Sequence, residues 1–584
     1  MHQSNLVESC DVDKGERMGS RRFADSNLKI AIAALIPVAA LAMIVLHYSV
    51  NVPFADEWVE TAAMRGFSHV PTISNLFSQH SEHRLAVTRL ILWVSTAVSG
   101  GDLRYSMAVT FAVAIFTSIM AMVLIRRTVP SDQPWQVYWL AIHFLILSPV
   151  QYSNWLWAIQ NQCIVSIACL MAGLVVIEVL PGGWRQTLLC MFLAFIAAFS
   201  MTNGLMVSVL LPLAVLAHRP RESRARLAAW ALFIAALWIT YFHGWQRPTF
   251  GDADPTWCLH HPKEAAEYIL TFLGSCVGRG LGTVAPTVAG AVVLAVWLSE
   301  LGYVAIHRGK RDSLRHAGPW IAVGIFAIAS ASMATTGRVR LGISQALASR
   351  YTTTSVQLWV SAIALWPILF ATTPARRPLG IAKTLGMLAV SGLIISFFIS
   401  QIRCINEIHT EWAERLRSQA GLELMYYPNS DSFVGGPIDP DLLSALIEMN
   451  DMGRLNPPIL PADQFDSITS QTPAEGSFQE AITQPNGSIQ VAGTAALPSG
   501  RPADCVLITC GPDAAHSTII WMARVAIPKL DIANITASEA SRAHWKDKIP
   551  AKQIPPGNAT LAAWAFDATS RTAYPLDKSR SGSQ

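Results

Sequence analysis

The sequence predicts a polytopic α-helical membrane protein of about eleven transmembrane helices, with a small all-β sandwich outside the membrane at its C-terminal end. Three observations predict it. Of 584 residues, 52% are hydrophobic and only 14% charged, against about a quarter charged in a soluble globular domain. Apolar runs near the ~20 residues that cross a bilayer recur as far as Gln401. Beyond Gln401 the composition turns polar, then breaks into short alternating runs between Pro and Gly turns, as sandwich strands do.

The apolar runs fall at Leu28 to Val50, Arg104 to Leu124, Trp135 to Val150, Cys163 to Leu180, Leu227 to His243, Val284 to Ile306, Pro319 to Thr336, Val356 to Ala371 and Ile381 to Gln401. Gln186 to Ala217 is too long for one span and is interrupted at Met201-Thr202-Asn203-Gly204, so it reads as a hairpin of two short helices. Lys14, Arg17, Arg21 and Arg22, then Arg126-Arg127, Arg185, the Arg219 to Arg226 cluster, Arg308 to Arg315 and Arg376-Arg377 all fall on one side of this arrangement. The positive-inside rule makes that side the cytoplasm. Leu28 to Val50 is long for a signal-peptide core and follows a long polar segment, so it reads as an anchor.

The domain plan is then a cytoplasmic tail at 1–27 and a membrane domain at 28–401 with its first outer loop at 51–103. A helical connector and Pro-rich linker at 402–485 precede a periplasmic β-sandwich at 486–584. In the connector, Glu407 to Leu424 and Asp439 to Leu455 read as amphipathic helices. Strands are expected at Ser488 to Ala492, Cys505 to Cys510, Ser517 to Ile527 and Thr560 to Phe566, with Trp521, Trp564 and Tyr574 as core or ligand platform. The net charge of +4 reflects the cytoplasmic bias, and no basic stripe interleaved with aromatics argues for nucleic acid. The nine cysteines show no CxxC or ligand spacing, and Cys505 and Cys510 point to opposite faces of one strand.

The first outer loop is the most informative segment. Asp56-Glu57-Trp58 follows directly on the first span, and Gln79-His80-Ser81-Glu82-His83-Arg84 precedes the apolar stretch Leu85 to Val98. The chain must still be outside at Arg104, so Leu85 to Val98 is expected to lie along the membrane, with Thr88, Ser95 and Ser99 on one helical face. Ionisable groups held at a membrane surface are costly and point to chemistry.

These features together resemble the GT-C superfamily of polyprenyl-phosphate-sugar-dependent glycosyltransferases. Pro53-Phe54-Ala55-Asp56-Glu57-Trp58, the Gln79 to Arg84 segment and Ser349-Arg350-Tyr351 are similar to an uncharacterised bacterial subgroup of that type. The resemblance covers residues 1 to about 400, and the β-domain stands apart from it. It implies an integral enzyme of the inner membrane that transfers a sugar from a polyprenyl-phosphate donor to an envelope glycan or lipid on the periplasmic side. It also implies that Asp56 is the base, with Glu57 assisting it or binding a cation. Whether a divalent cation such as Mg²⁺ or Mn²⁺ takes part is left open.

Arg338, Arg340 and Arg350 break the positive-inside pattern on the outer side and suit phosphate, with Tyr351 placed to orient Arg350. His80, Glu82, His83 and Arg84 are candidates for acceptor or metal contact, as are Asn154, Trp157 and Gln160 on the next outer loop. Gly251-Asp252-Ala253-Asp254 has the spacing of a metal motif but lacks the strand context and reads as a loop. The reading from another class is a non-catalytic transporter or flippase of lipid-linked saccharide, which favours ionisable groups at mid-membrane and internal repeats.

The orientation is testable directly. A reporter fused after Gln401 or at the C-terminus should be active only outside the cytoplasm, and cytoplasmic activity there would place every candidate residue on the wrong side.

Overall fold

The computed structural model describes residues 28–64, 69–219, 221–248, 256–306, 311–370, 380–434, 439–462, 464–511, 516–528, 543–555 and 560–578. The segment 1–27 and the Gly251 to Asp254 motif lie outside the described residues. The chain is a polytopic helical membrane protein with a C-terminal β region. Helix α1 (Leu28–Tyr48) leads into a loop built from α2 (Asp56–Ala63), α3 (Ile73–Phe77), the two-residue strands β1 (Gln79–His80) and β2 (His83–Arg84), and α4 (Ala86–Ser99). The bundle continues through α5 (Arg104–Thr128), α6 (Trp135–Ile146), α7 (Tyr152–Leu156), α8 (Asn161–Val179), α9 (Trp184–Ala198), α10 (Leu205–His218) and α11 (Arg224–Phe242). It is completed by α12 (Trp257–His260), α13 (Pro262–Gly278), α14 (Val284–Ile306), α15 (Arg311–Arg338), α16 (Ser349–Phe370) and α17 (Gly380–Glu423).

Among the described residues, seven helices are long and apolar enough to cross a membrane: α1, α5, α8, α11, α14, α15 and α16. Each of the other expected spans is also helical, but α6, α9 and α10 have only 12, 15 and 14 residues. The most apolar windows of α8 and α16 are 78% and 83% buried, against 17% for α1 and α11, so the first two form the centre of the bundle and the last two its rim.

The ends of the helices sort into two faces. Trp320 of α15 donates to Thr128 at the end of α5, Gly318 abuts Ala217 of α10, and Arg219 donates to the carbonyl of Leu180. The turns carrying Arg126-Arg127, Arg185 and Arg219 therefore lie at one end of the bundle. At the opposite end α2, the β1–β2 turn, the Thr202 turn, Arg338 and Arg350 meet.

Between the expected spans Leu227 to His243 and Val284 to Ile306, the described part of 244–282 contains α12 and α13. Gly274 and Gly278 of α13 lie against Pro286 of α14, and Gly290 of α14 lies against the Leu270 carbonyl of α13. A Cβ at Gly290 would fall 1.9 Å from that oxygen. The pair is a close antiparallel contact through small residues spaced four apart, a geometry that lets helices pack by van der Waals contact in lipid. The segment 85–98 is helical as expected. Its polar Thr88, Arg89 and Ser95 are buried while Leu90, Val94 and Val98 face outward.

Helix α17 departs from the expected connector: it runs unbroken for 44 residues, about 66 Å at 1.5 Å per residue. After α18 (Asp431–Val434) and α19 (Pro440–Asp451) the sandwich begins at β3 (Glu475–Thr483), inside the segment expected to be linker. That strand is Gly- and Glu-containing and poorly alternating, which hid it. It pairs with β4 (Ile489–Ala496) and, in parallel, with the last strand, β10 (Asp577–Lys578). The strands β5 (Cys505–Cys510), β6 (Thr518–Ala523), β7 (His544–Ile549), β8 (Leu561–Asp567) and β9 (Thr572–Pro575) complete two four-stranded sheets, ordered β10-β3-β4-β7 and β6-β5-β8-β9.

Val506, Ile508, Ala563 and Ala565 fill the space between the sheets. Cys505, Leu507, Trp564 and Phe566 point the other way and pack on Ala420, Leu424, Tyr427 and Phe433, from the end of α17 to α18. Both faces of β5 are thus buried, which is why it reads as a continuous apolar run. Trp564 is core: its indole donates to Thr509 at 3.0 Å and its ring meets Phe465 edge-on. Trp521 and Tyr574 pack partly buried against the inter-sheet core.

Gly290→Val should lower the thermal stability of the purified protein more than Gly392→Val, whose Cβ meets nothing within 4 Å. Equal effects of the two substitutions would remove the α13–α14 contact from the packing argument.

Candidate functional site

The site is built on α2, whose first turn carries Asp56 and Glu57. The residue before it, Ala55, has φ 47° and ψ −116°, a conformation that costs a non-glycine residue on the order of 1–3 kcal/mol. Three side chains hold the turn. The Glu57 carboxylate accepts from the backbone N–H of Phe54 at 2.9 Å and of Ile159 at 2.7 Å. The Trp157 indole donates to the Phe54 carbonyl at 3.0 Å. The Arg415 guanidinium of α17 lies 4.6 Å from the centre of the Phe54 ring and donates to the Leu156 carbonyl.

The two carboxylates of the pair therefore part company. Glu57 is 2% exposed and points into the protein, and burial pushes its pKa up to about 7 against the pull of Arg415 and the backbone N–H groups. The Asp56 side chain is 64% exposed, and its pKa is held below the ordinary value, chiefly by His80 and, against the effect of burial, by Arg350 and Arg338. Of the expected pair, only Asp56 presents a reactive carboxylate to the open end of the bundle.

His80 lies between Asp56 and a residue absent from the sequence-derived candidates. Its Nε2 is 4.0 Å from Asp56 Oδ2, and its Nδ1 is 2.7 Å from Oε1 of Glu60. Glu60, one helical turn beyond Asp56, is 1% exposed and receives a two-pronged ion pair from Arg89 of α4, at 2.6 and 2.9 Å. Burial opposes the charge on both His80 and Glu60, yet attraction prevails. Asp56 and Glu60 raise His80 to about 9, and His80 and Arg89 lower Glu60 to about 2. Position i+4 to Asp56 on an amphipathic turn, with a lone Arg inside an apolar helix, was the available signal for Glu60 and Arg89.

The remaining members of the Gln79 to Arg84 cluster diverge. Glu82 pairs with Arg338 at 2.9 Å, and despite burial its pKa falls to about 2 through His83 and Arg338. His83, lowered by burial, faces the Thr202 hydroxyl at 2.6 Å. Arg84 donates to the carbonyls of Phe77, Tyr241 and His243, each at 2.6 Å, and is a structural clamp rather than an acceptor contact. Among the described residues no three His, Cys, Asp or Glu side chains converge to hold a metal ion.

Of the expected phosphate contacts, Arg338 and Arg350 both act on Asp56, whereas Arg340 sits exposed on the following turn, Val339–Leu341. The half-buried Arg350 guanidinium lies 5.0 Å over the Tyr351 ring and, among the described residues, makes no close ion pair or hydrogen bond. Tyr351 in turn stacks on Phe272 of α13. Asn154, Trp157 and Gln160 are buried beneath the site. Asn154 donates to the Arg350 carbonyl and to Thr353, fixing the first turn of α16, and Gln160 accepts from Cys163 at 3.1 Å.

Compared with family models, with curated proteins and with solved structures, the chain has no match.

Glu57→Gln leaves one of two backbone N–H groups without an acceptor and should cost about 1–3 kcal/mol. Because the Glu57 pKa is raised from 4.5 to about 7, its favourable contribution is complete at low pH and fades as pH rises to 7. The stability deficit of Glu57→Gln should therefore shrink between pH 5 and pH 8, and a deficit constant across that range would show that Glu57 is ionised in the fold throughout.

Proposed function

We propose that the protein is a GT-C-type glycosyltransferase of the bacterial inner membrane. In this reading it transfers a sugar from a polyprenyl-phosphate donor to an envelope glycan or lipid on the periplasmic side. About eleven crossings, a cytoplasmic N-terminus and a periplasmic C-terminal domain complete the reading. The observation that carries it is the juxtaposition of an exposed, ionised Asp56 with the Arg350 guanidinium, which makes no ion pair or hydrogen bond among the described residues, at one end of a lipid-embedded bundle.

The chemistry follows from the charges. The acceptor hydroxyl oxygen forms a bond to the anomeric carbon while the bond from that carbon to the donor phosphate oxygen breaks. Asp56 takes the hydroxyl proton. The departing phosphate keeps the electron pair and is stabilised by Arg350, with Arg338 and the His80 imidazolium adding positive potential. Arg350 is the cation best suited to the phosphate because binding it breaks no existing ion pair, whereas Arg338 is already engaged by Glu82.

A second reading, a carrier of lipid-linked saccharide, is favoured by one observation. Glu300 of α14 is 1% exposed inside a candidate span, and neither of its carboxylate oxygens has a hydrogen-bond partner among the described residues.

Asp56→Asn should reduce transfer by roughly 10² to 10⁴ with little change in donor binding. Arg350→Lys should weaken donor binding, since the ammonium lacks the planar fork that grips two phosphate oxygens. Mass spectrometry of envelope glycans from cells carrying each variant, with donor binding to the purified protein, reads both. Wild-type glycans from the Asp56→Asn strain would overturn the enzymatic reading, and their loss in Glu300→Gln alone would favour the carrier.

A further inference from the structure

His80 is held by a carboxylate on each ring nitrogen. Its Nδ1 sits 2.7 Å from Glu60 in surroundings where the His80 side chain is 11% and the Glu60 side chain 1% exposed. Its Nε2 faces Asp56 at 4.0 Å. A neutral ring donating from Nδ1 would turn a lone pair at Nε2 toward the Asp56 carboxylate, an unfavourable contact that a second proton converts into attraction. The surroundings divide by sign. Burial and the neighbouring His83 oppose the cation, while Asp56 and Glu60 favour it; Arg350 and Arg338 act on Asp56, Arg89 on Glu60, and Glu82 is paired with Arg338. Glu60 faces two cations, Arg89 and His80, and Asp56 supplies the second negative charge beside them, so the two carboxylates together balance the guanidinium and the imidazolium.

Arg89 does more than balance charge. Its Nη1 donates to the carbonyls of Asn75, Leu76 and Ser78 and to the Ser78 hydroxyl at 2.6 to 3.1 Å. Those residues end two positions before His80. The same guanidinium therefore orients Glu60 and fixes the backbone that delivers the imidazole to it.

We infer that Glu60 and Arg89 are positioning residues that hold His80 doubly protonated with its Nε2–H toward Asp56, so that this buried pair sets the alkaline limit of the site. The consequence for a phosphate leaving group rests on the glycosyltransferase reading; the charge state of His80 does not. Carboxylate–imidazole pairs fix a histidine tautomer elsewhere. Here the second nitrogen faces another carboxylate, so the pair fixes a charge.

The test is a titration of the full-length protein, ¹⁵N-labelled at histidine in lipid nanodiscs, with the His80 signal identified by its loss in His80→Gln. The wild-type ring should remain an imidazolium up to about pH 9. In Glu60→Gln it should titrate at least tenfold in proton concentration closer to the ordinary histidine value of about 6.5. A wild-type His80 that titrates near 6.5, or one unchanged in Glu60→Gln, overturns the inference. Should Glu60→Gln not be recovered folded, the wild type decides: imidazolium at pH 8 supports the inference and neutral imidazole at pH 8 overturns it. The sugar-transfer assay separates the two proposals. A correct titration without any transfer leaves the pair standing and removes the enzymatic reading, while transfer that depends on Asp56 with an ordinary His80 does the reverse.

Discussion

A buried ion pair between Glu60 and Arg89 organises the first outer loop, and the candidate site depends on it. Arg89 is 2% exposed and Glu60 1%, so both have been taken out of water at a cost of several kcal/mol per ion. The arrangement recovers that cost by leaving few donors idle: two Arg89 nitrogens meet Glu60 and the third reaches the end of α3. Helices α2, α3 and α4 are 8, 5 and 14 residues long, too short to hold their mutual positions by propensity alone. The ion pair joins all three. Removing one partner would strand the other charge, a loss of about 3–5 kcal/mol in comparable settings.

The loop is then fastened to the bundle at two further points, and each uses a side chain that binds backbone. Arg84 closes the C-terminal end of α11 by binding carbonyls of Tyr241 and His243, a favourable place for a cation because the last carbonyls of a helix lack partners. Glu57 and Trp157 fasten the other edge to the 157–160 segment. Arg415 joins that clasp from α17, whose far end carries the sandwich. The same rigid helix thus touches the turn that aims Asp56 and the sheet that forms the C-terminal domain.

How much of this was legible varies with the physical signal. Lipid-facing helices announce themselves through long apolar runs, so helices occur at every expected span. The polar first loop stood out against that background. Helix α13 was missed because Lys263, Glu264 and Glu267 make its first turns polar, while its packing rests on Gly274 and Gly278, which carry no hydropathy signal. Strand β3 was missed for a related reason, its Gly476 and Glu480 diluting the alternation. Within the site, residue type suggested Asp56, Arg338 and Arg350, which the fold brings together. It did not separate Asp56 from Glu57, because the direction of each side chain depends on the turn at Ala55 and on Ile159, more than a hundred positions away. Nor did it single out Glu60, whose role appears only when Arg89 and His80 are placed on either side of it.

The division of charges gives the arrangement its sense. Arg89, Arg84, Arg338 and Arg415 each have a carboxylate or carbonyl partner, and a paired guanidinium is a structural element whose binding capacity is spent. Arg350 is different: it rests on an aromatic face, beside an ionised aspartate and close to a charged imidazole. An isolated guanidinium in partly desolvated surroundings is an unfavourable thing to keep unless an anion visits it. The strained Ala55 turn belongs to the same logic. The backbone clasped by Glu57 and Trp157 carries the Asp56 carboxylate to the His80 side of the site.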